Sequence, residues 1–137
     1  MRYGALALMA CLAGCSLTTS SGGECVNDSQ CGDDVCVRGG ECVARSNVHS
    51  VMVRWTVDGV AASATTCSTH PDLFLQFDGT DYGDTLRFVQ VACRQGSFFV
   101  DKLPKRYQQV TLGVEGSHGN VLSIDAATTQ ATFDLLP

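Results

Sequence analysis

The chain has 137 residues and a formal net charge of -5, with 45% hydrophobic and 17% charged residues. That length holds one ordinary domain, or a small module beside a compact one, and the apolar content excludes a chain disordered throughout. The acidic balance, with a pI near 4.9, offers no basic face to a nucleic acid, and eight cysteines in so short a chain point to an oxidising compartment. Residues 1–14 begin with a single early cation, Arg2, continue in a short apolar run and end in small residues, the layout of a secretory signal. The run is well short of the roughly 20 apolar residues of a membrane-spanning helix.

The four residues Leu12-Ala13-Gly14-Cys15 close this run and open a polar stretch. They resemble the lipobox of bacterial lipoproteins. The resemblance implies that the Cys15 sulfur carries a diacylglyceryl group, that the leader 1–14 is cut away before Cys15, and that the new amino group is acylated. Two or three acyl chains hold a protein on a bilayer, where one does so only marginally. Ser16, where inner-membrane lipoproteins of enteric bacteria carry Asp, points by the same resemblance to the outer membrane. Residues 15–23 then form a lipidated tether, Ser/Thr/Gly-rich after Cys15, and its eight flexible residues span about 15 Å.

With Cys11 in the leader and Cys15 lipidated, six cysteines remain: Cys25, Cys31, Cys36, Cys42, Cys67 and Cys93. An even set in an exported chain reads as three disulfides, and the absence of any C-x-x-C pair among the six argues against zinc or another metal. Residues 24–43 hold four of them in the spacing C-x5-C-x4-C-x5-C. Too few apolar side chains lie between for a core, so crosslinks replace it, each contributing about 2–4 kcal/mol. Of the three connectivities open to four cysteines, the crossed one, Cys25–Cys36 with Cys31–Cys42, is the expectation. The pattern resembles the small Dickkopf N-terminal-like and EB-like cysteine-rich modules of extracellular proteins. Asp28, Asp33 and Asp34 supply hard oxygens of the kind calcium takes, and a solvated acidic surface is the plainer reading.

Residues 44–47 connect to a second domain, 48–137, with a β texture. Val51, Val53, Trp55 and Val57 alternate with polar or flexible residues, and Asp58-Gly59 ends the strand. Ser63 suits the N-cap of a single helical turn around Cys67. Further strands are expected at 73–77, 85–93, 98–100, 110–114, 121–124 and 131–135. Seven short strands with no long helix predict a mainly β fold, a seven-stranded sandwich. Cys67 and Cys93 are expected to bridge within it, with Trp55 packed in the core nearby. The segment from Leu103-Pro104-Lys105-Arg106-Tyr107 to Leu122 resembles a piece of the carboxypeptidase-regulatory-like, prealbumin-like sandwiches, which implies an Ig-like or prealbumin-like accessory domain. Lys105-Arg106 departs from that pattern, which commonly carries Pro or Ala followed by Gly there.

Catalytic chemistry is not expected. The three histidines, His49, His70 and His118, lie in no hydrolase or metalloprotease motif, and no phosphate-binding loop occurs. Asp78, Asp81 and Asp84 share one turn-rich loop, readable as a solvated turn or as a calcium loop. No cofactor is expected. The sequence therefore reads as a non-enzymatic, membrane-anchored envelope lipoprotein whose sandwich is a structural or binding module. Its partners would be the membrane, through the lipid on Cys15, and an envelope protein or glycan. The alternative is a carbohydrate- or peptidoglycan-binding protein using Tyr82, Tyr107 and Phe99 as stacking platforms.

Overall fold

In the computed structural model, which describes residues 25–136, the chain is mainly β and begins with a small disulfide-bonded module. Leader, Cys15 and tether lie outside the described residues. In the module β1 (Val35–Cys36) pairs antiparallel with β2 (Cys42–Val43), and the bridges are the crossed pair, Cys25–Cys36 and Cys31–Cys42. The module is not wholly without a core. Val35, Val37 and Val43 cluster, and Val48 from the first residue of the next strand closes the cluster. Three valines could not bury themselves alone; the neighbouring strand completes their cover.

The remaining strands are β3 (Val48–Val57), β4 (Val60–Ala61), β5 (Asp72–Gly79), β6 (Thr85–Ala92), β7 (Ser97–Pro104), β8 (Tyr107–Val114), β9 (Asn120–Ser123) and β10 (Gln130–Leu135). They form two four-stranded sheets in a sandwich-like arrangement. In the first, β3 is central. β10 runs parallel along one edge, while β7 and the short β4 lie antiparallel along the other. The second sheet is antiparallel in the order β6-β5-β8-β9. Alternation on β3 sends Val51, Val53 and Trp55 inward, and on β5 it sends Leu73, Leu75 and Phe77 inward. These meet Val100, Leu103, Val110, Leu112 and Phe133 in one core between the sheets, each fully buried side chain worth about 1.5–3 kcal/mol. Phe88 of β6 and Phe98 of β7, with ring centroids 4.9 Å apart, close one side.

Each expected strand is present, with Cys93 and Ile124 falling just beyond the ends of β6 and β9, but there are eight strands in the domain, not seven. The eighth, β4, follows a tight turn in which Asp58 and Gly59 both have positive φ (52° and 69°), the geometry that a two-residue hairpin requires. Two residues are too few to show alternation. The strand expected at 98–100 extends to Ser97–Pro104 because the first half of β3 supplies it with a pairing edge. The turn at Ser63 forms: the Thr66 N–H donates to Ser63 Oγ at 3.1 Å and the Cys67 N–H to the Ser63 carbonyl at 3.0 Å. Cys67 bridges to Cys93 just past β6. The buried Trp55 indole N–H donates to the Cys93 carbonyl at 2.7 Å, which satisfies the one polar atom of that side chain.

Candidate functional site

The most heavily charged region is the seam between the module and the β7–β8 hairpin. Lys102 pairs with Asp28 at 2.6 Å, Arg106 with Glu41 at 2.7 Å and with Asp84 at 2.6 Å, and Arg38 with Asp101 at 3.9 Å. Lys105 donates from Nζ to the Ser46 carbonyl at 2.6 Å and from its backbone N–H to Asn47 at 2.8 Å. Lys105 and Arg106, at the β7–β8 turn, thus grip the module and its connector alongside Asp101 and Lys102 of β7. Hydrogen bonding from Lys102 holds the Asp28 carboxyl below the ordinary carboxylate range. Burial works against the Arg106 charge, but Asp84 and Glu41 outweigh it and raise the guanidinium further. Burial, reinforced by Asp84, pushes the Tyr107 hydroxyl up. Pairs this exposed add little stability individually; they set the orientation of the module on the sandwich.

Two clefts flank the seam, of about 570 Å³ beside Arg38, Asp101 and Lys102, and about 540 Å³ beside Glu41, Asn47 and Arg106. Most of their charges are paired with one another; Lys105, which also lines the second cleft, has no carboxylate partner and is held by the Ser46 carbonyl.

The acidic groups singled out in the sequence are not brought together. Asp28 is taken by Lys102 and by the Cys36 N–H. At the end of β5 Asp78 accepts from Gln76 and Thr85, and in the loop to β6 Asp84 accepts from Arg106 and Tyr107 while Asp81 is exposed. Among the described residues, the one close grouping of three metal-binding side chains is Cys25, Cys31 and Cys42, and all three sulfurs are in disulfides. The three candidate aromatics are dispersed. Tyr107 belongs to the core beside Phe77, Tyr82 is fully exposed in the β5–β6 loop, and Phe99 is half-exposed on the outer face of the first sheet.

His70 and His118 are exposed, while His49 on β3 has both ring nitrogens shielded from solvent with no hydrogen-bond partner. Burial pulls its pKa below the ordinary 6.5; the nearby Leu103 backbone is the main opposing influence, Lys105 acts with burial and Asp125 against it. At neutral pH the ring is uncharged in both folded and unfolded chains. As pH falls below 6.5 the unfolded chain takes up the proton first, so stability is lost from there down to the folded pKa. The wild-type Tm should therefore fall between pH 7 and pH 5. His49→Leu should flatten that stretch and, by removing the unpaired polar ring, add on the order of 1 kcal/mol at pH 5. Asp28, Asp125 and Asp134, all held low by hydrogen bonds, make a separate loss below pH 3.8 that the variant retains. Thermal melts in steps of half a pH unit check this; an unchanged slope in the variant would remove His49 as the cause.

No protein-family model matches the chain, and no curated protein or solved structure shows significant similarity to it.

Proposed function

We propose that the chain is a non-enzymatic lipoprotein of the bacterial cell envelope, anchored through Cys15 and presenting a β-sandwich as a structural or binding module. The observation that carries the reading is that every cysteine after Cys15 is accounted for by a bridge, while Cys15 stands in the lipobox-like Leu12-Ala13-Gly14-Cys15. Three bridges suit an exported chain. The non-enzymatic part is supported by the commitments already described: His49 is shielded, and the Asp78 and Asp84 carboxylates hold their own loop and hairpin together. Ser16 favours the outer membrane.

Cys15→Ala is expected to release the protein from envelopes into the soluble fraction and to abolish incorporation of labelled palmitate. A variant that still sediments with envelopes at high salt and carries no lipid would place the anchor elsewhere. The second reading, carbohydrate or peptidoglycan binding, is favoured by one feature, the outer face of the first sheet.

A further inference from the structure

Side chains directly opposite one another in a sheet share a face. On the solvent side of the first sheet, register therefore places Gln130, Met52 and Phe99 in one row across β10, β3 and β7, and Thr132, Arg54 and Ser97 in the next. A shallow depression of about 410 Å³ opens here, its polar lining Arg54, Thr56, Gln95, Gln130 and Thr132 and the remainder apolar residues or glycine, Ala61 and Ala62 among them. Phe99, at 51% exposure, stands one row away on the neighbouring strand.

Two properties set this face apart. Arg54 is exposed and, like Arg45, Arg94 and Lys105 among the described residues, has no carboxylate within ion-pairing distance; of these four it is the one carried on a strand, in the row next to the exposed Phe99. Its diagonal neighbour Asp134 is held instead by Thr56 Oγ1 at 2.7 Å and the Gly59 N–H at 2.8 Å. Second, the register sets the apolar pair Met52 and Phe99 beside Gln130 and next to the row of Thr132, Arg54 and Ser97, with Asp101, engaged by Arg38 at 3.9 Å, two residues beyond Phe99. A protein partner would be expected to meet a larger dry patch around an aromatic anchor. A sugar needs what is here: an aromatic face for its C–H side, planar amides for its hydroxyls, and little area. Diagonal neighbours across strands lie roughly 7–8 Å apart, a gap that one sugar ring bridges.

We propose that this face, centred on Arg54 and Phe99, binds a saccharide carrying a carboxylate, the pyranose stacking on Phe99 and Met52 while Arg54 takes the carboxylate through two parallel N–H bonds. The fork of a guanidinium matches a carboxylate in a way that a single ammonium does not. Gln130, Gln95 and Thr132 are placed to hydrogen-bond ring hydroxyls. The inference deepens the binding-module part of the proposed function. It does not use the anchor, so failure of the Cys15 experiment leaves it standing and its own failure leaves the anchor standing.

The shared chemistry is found in uronic acids and in muramic acid, and the test separates them. Calorimetric titration of the full chain in detergent would use oligogalacturonate, its methyl ester, and peptidoglycan strands stripped of their stem peptides. Binding of one acidic glycan at least tenfold tighter than the methyl ester is expected. Arg54→Gln and Phe99→Ala should each weaken it tenfold or more. Arg94→Gln, which removes an exposed arginine lying outside this face, should leave it within twofold, and melts of all three variants should stay close to the wild type. Saturation by oligogalacturonate assigns the uronic type, and saturation by the stripped strands assigns the muramic type. The proposal is overturned if neither acidic glycan saturates at millimolar concentration, or if Arg94→Gln weakens binding as much as Arg54→Gln. It is also overturned if polyglutamate binds as tightly and Phe99→Ala does not matter, which would make the face a peptide-carboxylate site.

Discussion

Removing the Cys67–Cys93 bridge by the double substitution Cys67→Ala/Cys93→Ala is expected to cost about 3–4 kcal/mol and to lower Tm by about 10–25 °C. The bridge spans a sequence separation of 26 and both sulfurs are buried. It joins the turn that follows β4, in the first sheet, to the end of β6 in the second, so it staples the two layers at one end. Without it the unfolded chain regains the freedom of a long loop, and two buried methyl groups replace a sulfur pair that fits its cavity. The Trp55 bond to the Cys93 carbonyl depends on the same short turn. A double variant is preferable to chemical reduction, because the module's two bridges stay intact and the loss is assigned to one crosslink. The module bridges each span a separation of only 11. Their removal should loosen the module and leave the main melting transition near its wild-type position. Differential scanning calorimetry of the variants measures both effects. A melt for the Cys67/Cys93 variant within 2–3 °C of the wild type would show that the sandwich does not rely on the staple.

What the sequence displayed was local and one-sided burial. Val51, Val53 and Trp55, or Leu73, Leu75 and Phe77, repeat at the strand period because one face of each strand meets the core, and period two is readable without knowing the partner. Phe74 was hidden by the same rule: alternation sends it outward, yet it is only 5% exposed. It is covered by Arg87, whose guanidinium carbon stands 4.0 Å from the ring centroid and whose charge is shared with Glu115. A long side chain lying over an aromatic is a tertiary event with no sequence period. The parallel pairing of β3 with β10 was equally invisible, because it joins the first and last strands of the domain. The candidate site follows this division. Arg54 could be placed on the outer face of its strand and Phe99 could be nominated as an exposed aromatic. That they share a face with Gln130 and Thr132 depends on the non-local register of β7 and β10 against β3.

Gly113→Ala should be among the most damaging single-methyl additions to the domain. Gly113 lies in β8 opposite Phe74 of β5, and the ring of Phe74 occupies the space a side chain would fill. A Cβ at 113 would stand 2.8 Å from Phe74 Cε1 and 2.6 Å from the Cα of Gly119. The first contact could be relieved only by displacing the Phe74 ring, which Arg87 covers. The second is backbone, and Gly119 has no room to retreat: a Cβ there would itself lie 2.6 Å from Thr111 Cγ2 and 2.8 Å from the Leu112 carbonyl. The turn from β8 to β9 is therefore folded flat against the strand, which glycine at both positions permits. Overpacking of this kind costs about 1–3 kcal/mol where side chains can adjust, and backbone displacement puts the expected loss at the upper end, with a fall in Tm of about 10–20 °C. Phe74→Ala also destabilises, since it empties a buried site. The double variant Gly113→Ala/Phe74→Ala should nevertheless be less damaged than the sum of the singles by at least about 1 kcal/mol, because removing the ring frees half of the space the new methyl needs. Denaturant unfolding of the four proteins gives the cycle. Strict additivity would assign the whole clash to Gly119, and a Gly113→Ala variant as stable as the wild type would show that the β8–β9 turn yields freely.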